Sequence, residues 1–466
     1  MSFLLKYRDS LFILLSILLY FLFAYNLERT NFPKLLLLWL SLFGCFFLLM
    51  KNHNISFKNL IGIAVLFRLI FLFASPNLSQ DFYRFIWDGR LLFEGINPYL
   101  SLPETFIKQN QFPITDAQKL YAGMGELNGS HYTNYPPLNQ LLFFIPALFS
   151  SKSIFGSIII LRLQILLADI GILYFGKKLL ENLNLPIKNI FWYGLNPFII
   201  IEMTGNLHFE PVMLFFLIFS LYKLHQKKWI WSGLLLACSI SIKLIPLLFL
   251  PLFYQLFTKK SFKFYKNNNF ISVEEQTKPF GFIKLISFYI IILATVILLF
   301  IPFYSSTLIE NYANSIGLWF RNFEFNASFY YIFREIGYLF RGYNEIAIIG
   351  KIIPILTILF LIILAFLKKI ETEIQLYTAI LFALCFYYFT ATTMHPWYLA
   401  TPLIISIFTK YKFPVVWSLV IILSYQAYAN TPWQENLWIV GLEYSIVYAF
   451  MIYEIQKNLK NKVHIS

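Results

Sequence analysis

Long apolar runs, separated by short polar turns, repeat from one end of the chain to the other. Many of these runs approach the ~20 residues that an α-helix needs to cross a bilayer. We interpret the following runs as membrane-spanning helices: 10–26, 34–50, 59–74, 154–176, 190–204, 211–224, 283–304, 346–367, 375–393, 397–409, 414–430 and 437–456. The pattern predicts an all-α polytopic membrane protein, a single domain over residues 1–466 with about 12–14 transmembrane helices.

Two apolar runs do not have the length of one span. The run 229–257 is too long and is interrupted by Lys243, Pro246 and Pro251, which predicts two short spans that meet near Lys243. The run 138–150 is too short to cross comfortably. We interpret it as a half-helix that dips into the membrane after the first long loop.

Lysine and arginine concentrate in the short loops on one side of this predicted topology. The positive-inside rule assigns that side, and with it both termini, to the cytoplasm of a cell (inner or plasma) membrane. The long loops 75–137 and 305–345 then lie outside, with six acidic against four basic residues and four against three. A complete span at 138–150 would turn several lysine-rich loops outward, so charge favours the half-helix.

Composition agrees with a membrane protein. The chain is 59% hydrophobic and only 13% charged, whereas a soluble domain carries roughly 25% charged residues. The positive-inside rule accounts for the net charge of +14, so we predict no nucleic-acid partner. Cys45, Cys238 and Cys385 lie far apart in apolar runs, with neither metal-ligand spacing nor a disulfide framework.

The first long outer loop begins with charged residues directly after a span. On a helix, Asp81, Arg84 and Asp88 share one face, because they are spaced i, i+3 and i+7. For Arg84 and Asp88 a surface salt-bridge ladder is as good an interpretation as a role in substrate binding. Asp81 lies nearest the end of the span and is the better candidate for a catalytic base.

Two further polar features fall on the same side. His208 and Glu210 occupy a short turn between spans, where they either face a polar cavity or cap the helices. Lys243 interrupts an apolar run, which is costly and indicates function. It could hold a phosphate at the outer face, or it could extend its ammonium group to the interface.

The second long loop and the late spans add more candidates. Arg321 and Arg334 lie in that loop, and His395 lies at the outer end of its span. Together with Lys243, His395 and an arginine could neutralise an anionic leaving group. Within the spans, Arg68, Arg162 and Asp169 indicate interhelical pairing, such as Arg68 with Asp169, or a proton or ion pathway.

Taken together, these motifs resemble the GT-C class of membrane glycosyltransferases. They look most like the polyprenyl-phosphate-mannose-dependent enzymes of glycosyltransferase family 87, and they are similar to the enzyme that adds the first mannose to the GPI anchor. The matching segments, in chain order, are Gln80-Asp81-Phe-Tyr-Arg84, Asp88-Gly89, Gly95-Ile-Asn97-Pro98-Tyr99, Tyr135-Pro136-Pro137-Leu138, Asn196-Pro197, Gly205-Asn206, Lys243 with Pro246, and His395-Pro-Trp397-Tyr398.

The resemblance implies transfer of a hexose, mannose by family likeness, from a polyprenyl-phosphate-sugar to a glycan or lipid acceptor, with inversion and without a cofactor. Relatives carry Asp-x-Asp where this chain has Ser79-Gln80-Asp81, so no metal site is predicted here. Asp81 would then be the catalytic base, and Lys243, Arg321 and His395 would face the phosphate. The remaining substrate-binding candidates are Arg84, Asp88, His208 and Glu210.

Two other functions fit a polytopic protein of this kind. A transporter or flippase of lipid-linked sugars would show inverted repeats, and none is evident. A polymerase or ligase of lipid-linked glycans would place its dominant outer loop late in the chain, whereas here the longest loop follows the third span.

Overall fold

In the computed structural model, the described residues are 2–51, 55–266, 269–272, 280–321 and 323–463. The α-helices are α1 (Ser2–Asn26), α2 (Phe32–Lys51), α3 (Phe57–Ile70), α4 (Asp81–Phe93), α5 (Pro103–Lys108), α6 (Ala117–Gly129), α7 (Pro137–Ser150), α8 (Ile154–Asn182), α9 (Phe191–Gly194), α10 (Glu210–His225), α11 (Trp229–Ile240), α12 (Phe253–Thr258), α13 (Phe282–Phe300), α14 (Leu308–Arg321), α15 (Phe329–Arg341), α16 (Ile346–Ile362), α17 (Glu373–Thr390), α18 (Ala400–Ser406), α19 (Phe413–Val420) and α20 (Leu437–Val463).

Tighter and wider helical turns extend or connect these helices. The 3₁₀ segments are Ile187–Ile190, Ile245–Leu252, Ile301–Phe303, Pro396–Leu399 and Ile421–Ala429, and the π-helical segments are Ile199–Gly205 and Ile363–Leu367. One antiparallel hairpin, β1 (Lys263–Lys266) with β2 (Asn269–Ser272), supplies the strands of the described chain, with Lys263 opposite Ser272.

Seven helices of the described residues are long and apolar enough to cross a membrane, and a bent pair would make eight. The shorter apolar helices are Pro137–Ser150, Trp229–Ile240, Ile245–Thr258 and Phe413–Ala429. The prediction of an all-α polytopic membrane protein is confirmed. The predicted 12–14 helices included several segments that are short or broken in the structure.

The bent pair consists of Ile199–Gly205 and Glu210–His225, whose axes meet at 112°. Leu207, in the turn between them, has a positive φ of 62°. Pro211, in the first turn of the second helix, suits a helix start because that position needs no N–H donor. This break places the turn that carries His208 and Glu210 at the wall of a cavity.

A buried arginine satisfies the carbonyl groups at this break. The Arg162 guanidinium donates hydrogen bonds to the carbonyl oxygens of Thr204 at 2.8 Å, Gly205 at 3.0 Å and Leu72 at 2.9 Å. An unpaired backbone carbonyl is costly in an apolar environment. Arg162 therefore stabilises the break and ties it to the end of the third helix.

The second buried arginine pairs as the sequence indicated. Arg68 Nε donates to Asp169 Oδ2 at 2.7 Å, and both side chains are 1% exposed. The Tyr193 hydroxyl donates to the other carboxylate oxygen at 2.8 Å, and Arg68 Nη1 donates to the Gly194 carbonyl at 2.7 Å. This network joins the third span to α8 and α9.

Helix α7, which contains the run 138–150, has 14 residues and is about 21 Å long, and its assignment as a half-helix stays a prediction. Gln164 donates to the Leu142 carbonyl, and Ser157 to the Ser150 carbonyl, so α7 runs antiparallel to only the first turns of α8. The N-terminal turn of α7 instead bonds to the Ser241 carbonyl. Helix α7 thus begins beside the turn that contains Lys243.

Helix α4 packs closely on α7. The Phe85 and Phe143 rings stack with centroids 4.5 Å apart. A methyl group at Gly89 would lie 1.9 Å from the Phe143 carbonyl oxygen, so only glycine permits this approach. The packing fixes the orientation of α4, which begins at Asp81.

Some of the loops predicted to be cytoplasmic contact one another. The His225 imidazole lies 3.0 Å from the Glu373 carboxylate, and the Lys263 N–H donates to the Glu371 carbonyl at 2.8 Å. These contacts join loops that the charge pattern assigns to the same side of the membrane.

Candidate active site

A cavity of about 710 Å³ collects polar side chains from distant parts of the chain. Six of the eight predicted site residues line it: Asp81, Arg84, His208, Glu210, Lys243 and His395. These residues come from four different outer segments. The cavity is therefore where the predicted outer loops converge.

Asp81 is the first residue of α4, a position where a negative charge is stabilised by the helix dipole. Its backbone N–H donates to the Ser79 hydroxyl at 3.3 Å. Burial raises the pKa of Asp81 to about 6, and the positive charges of Lys243 and Arg29 counteract part of this rise. A carboxyl group with such a pKa is ionised at neutral pH and can still accept a proton.

Lys243 lies in the turn between the two short spans, as predicted. Its ammonium group forms an ion pair with Glu210 and lies 6.0 Å from the centre of the Tyr398 ring. The Lys243 side chain is 20% exposed and that of Glu210 is 2% exposed. Glu210 thus holds the ammonium group at the cavity wall.

The two predicted histidines stack on one tryptophan. The Trp397 ring centroid is 3.9 Å from that of His208 and 4.5 Å from that of His395. Burial and the nearby Lys243 charge lower the pKa of His395 to about 3. His395 is therefore neutral at physiological pH. The neutral ring can form hydrogen bonds, and the role of His395 beside the phosphate stays a prediction.

Arg84 and Asp88 form a salt bridge, but it is buried and is not the surface ladder of the alternative interpretation. Arg84 Nε lies 2.8 Å from Asp88 Oδ1, and Gln140 donates to the second carboxylate oxygen at 3.0 Å. Arg84 also donates to the Asn128 and His131 carbonyls, at 2.6 and 2.9 Å. Asp88 is fully buried behind Arg84 and does not belong to the cavity lining, so direct substrate contact by Asp88 is not supported.

Arg321 ends helix α14, and its side chain lies outside the described part of the structure. Ile316 and Phe323, on either side of it in the chain, line the cavity. The role of Arg321 stays a prediction.

Arg29, Tyr428 and Trp433 are among the lining residues that sequence reasoning missed. Arg29 donates to the Leu78 carbonyl at 3.2 Å, and its guanidinium carbon lies 4.2 Å from the Tyr428 ring centre. Its signal was available, because a basic residue in a short loop predicted to be outside contradicts the positive-inside rule. Tyr428 and Trp433 gave no distinct signal, since aromatic residues are common at any membrane interface.

One wall of the cavity is apolar. It runs between the 3₁₀ segment after Lys243 and helix α16, and it consists of Leu244, Ile245, Leu248, Ile353, Pro354 and Ile358. The outer faces of α13 and α16 carry many exposed large apolar side chains, as lipid-facing helices do. The cavity thus combines a charged end with a wall suited to a hydrocarbon chain.

Residues 28–259 match a family model described as Alpha-(1->6)-mannopyranosyltransferase, N-terminal domain. This region includes Arg29, Asp81, Glu210 and Lys243. The match confirms the resemblance to a GT-C mannosyltransferase and supports mannosyltransferase activity. No curated protein matches the chain.

Proposed function

We propose that this chain, whose residues 28–259 match the alpha-(1->6)-mannopyranosyltransferase family model, transfers mannose from a polyprenyl-phosphate-mannose donor to a hydroxyl group of a glycan or glycolipid acceptor. The active site is the cavity that Asp81 and Lys243 line. It faces the extracytoplasmic side of the cell membrane, with both termini in the cytoplasm. Charge bias between the loops supports this orientation.

One observation carries the proposal: a single cavity contains the Asp81 carboxylate, the cations Lys243 and Arg29, and an apolar wall. The apolar wall suits the polyprenyl chain, and the cations suit its phosphate. The carboxylate lies near enough to both cations for their charges to lower its pKa. Base and phosphate site therefore adjoin, as transfer to a hydroxyl group requires.

The reaction needs one base and one stabilised leaving group. Asp81 accepts the proton of the acceptor hydroxyl while the hydroxyl oxygen attacks the anomeric carbon of mannose. The bond from that carbon to the phosphate oxygen breaks, and the polyprenyl phosphate leaves without needing a proton. Lys243 and Arg29 stabilise the negative charge that develops on it. Displacement from the opposite face inverts the anomeric configuration.

The other side chains position these groups. Glu210 holds the Lys243 ammonium group, and the Arg84–Asp88 pair supports the segment before His131. His208 and neutral His395, on Trp397, offer hydrogen bonds to sugar hydroxyls. No metal ion is assigned a step.

The decisive experiment compares wild type with Asp81→Asn, purified in lipid and supplied with radiolabelled polyprenyl-phosphate-mannose and a membrane-glycan acceptor. We expect transfer by wild type and a loss of at least about 100-fold in the variant, the usual contribution of a general base. Glu104→Gln is the matched control, because this carboxylate lies in the same loop and pairs with Lys108 instead of lining the cavity.

Equal transfer by wild type and Asp81→Asn would remove Asp81 from the mechanism. Transfer from a nucleotide-mannose but not from the lipid-linked donor would overturn the donor assignment. Donor binding without transfer in either protein would favour a transporter of lipid-linked sugars.

A further inference from the structure

A second pocket, of about 620 Å³, adjoins the active-site cavity. The segment 426–437 forms it, between the end of the 3₁₀ segment Ile421–Ala429 and the start of α20. Its polar lining residues are Gln426, Asn430, Thr431, Gln434, Glu435 and Asn436. Neither the mechanism above nor the sequence motifs use these residues.

Trp433 connects the two pockets. It lines the active-site cavity, while its chain neighbours Pro432 and Gln434 line the second pocket. The Trp433 ring lies 6.2 Å from Phe325 and 6.5 Å from Tyr428, measured between centroids, and is 47% exposed. A molecule that leaves the cavity past Trp433 would therefore reach the amide groups.

Hydrogen bonds hold this segment in place. The Asn326 backbone N–H donates to the Glu435 carboxylate at 2.7 Å, and the Tyr331 hydroxyl donates to its other oxygen. Asn430 Nδ2 donates to the Gln434 carbonyl at 2.6 Å. The pocket is thus preformed, which lowers the entropic cost of binding.

The chemistry of the lining selects one class of ligand. Side-chain amides both donate and accept hydrogen bonds, and so do sugar hydroxyls. Among the described lining residues there is no lysine or arginine, and Glu435 would repel an anion. A phosphate group would meet no cation here, and only Ala429, Pro432 and Leu437 of the lining would offer apolar surface to a hydrocarbon chain.

We propose that the 426–437 pocket is a subsite for a neutral oligosaccharide acceptor, binding sugar units beyond the one whose hydroxyl is mannosylated. Trp433 is the aromatic platform between this subsite and the reacting groups. The inference rests on the proposed function and narrows its acceptor to a glycan of several units. The apolar wall beside Leu248 remains available for the donor.

The test measures acceptor kinetics for Gln434→Ala and Trp433→Ala with two probes, methyl α-mannoside and an α-linked mannotetraose. We expect Gln434→Ala to raise the KM for the tetraose about fivefold, with little change for the monosaccharide or for the donor. We expect Trp433→Ala to raise it roughly tenfold. Trp438→Ala is the matched control, because this ring is 88% exposed and does not line either pocket.

The subsite would be overturned if Gln434→Ala left the KM for the tetraose unchanged. It would also be overturned if Trp438→Ala raised this KM as much as Gln434→Ala does. Calorimetric titration of the tetraose without donor separates this failure from failure of the proposed function. If wild type transfers no mannose, binding that weakens in Gln434→Ala would still support the pocket, and binding that does not weaken would refute it.

Discussion

The pH dependence of transfer tests Asp81 as the catalytic base. Burial raises the pKa of its carboxyl from 3.8 to about 6, so the proton stays bound to higher pH than usual. Only the ionised form can accept a proton. About 90% is ionised at pH 7 and about 10% at pH 5, so we expect kcat/KM to rise about ninefold over this range and then level off. If the base had the pKa of an ordinary carboxyl group, kcat/KM would change by less than about 10% between pH 5 and pH 7.

The neighbouring charges supply a sharper form of the test. Lys243 lowers the pKa of Asp81, whereas Glu210 raises it. Glu210→Gln removes the negative charge and leaves the ammonium group unneutralised, so we expect the acid limb of the rate profile to move to lower pH. Lys243→Met removes the positive charge and should move the limb to higher pH, with a weaker affinity for the donor.

The assay is the initial rate at subsaturating acceptor between pH 5 and 8, with size-exclusion profiles at each pH to show that the protein stays folded. A wild-type rate that is flat between pH 5 and 7 would refute the assignment. Limbs that shift in the same direction in Glu210→Gln and Lys243→Met would show that the titrating group lies elsewhere.

Three further substitutions test the fold and the site. Gly89→Ala forces α4 away from α7, so we expect loss of the monodisperse size-exclusion peak, while Gly44→Ala, with nothing within 4 Å of the added carbon, should keep it. Asp169→Asn leaves the buried Arg68 charge without its partner, at a cost of about 3 kcal/mol or more, and an unchanged melting temperature would contradict this. Trp397→Leu removes the platform of both histidines and should lower kcat/KM at least about tenfold without lowering the melting temperature.

The sequence alone predicts the features of the fold and the site that depend on the length of apolar runs and on the distribution of charge. Apolar length identifies the spans, because each must cover the hydrocarbon core on its own. Charge bias then places residues of distant loops on one side, and Asp81, His208, Lys243 and His395 do line one cavity. The two short helices around Lys243 were predictable because prolines and a charge interrupt their run.

Features that depend on contacts between segments could not be predicted. The i, i+4 spacing of Arg84 and Asp88 permits a pair, but only the fold adds Gln140 to it and covers Asp88. Trp397 looks like any interfacial aromatic residue until two histidines stack on it. The polar turn between 190–204 and 211–224 was predictable, but the guanidinium from another helix that bonds to its carbonyl groups was not.

That guanidinium, of Arg162, has a consequence for how substrates enter. It fastens the ends of three segments, at Leu72, Thr204 and Gly205, so the side of the active site built by the first half of the chain behaves as one stiff block. We therefore expect this block to keep the reacting groups in a fixed arrangement while substrates enter and leave the cavity.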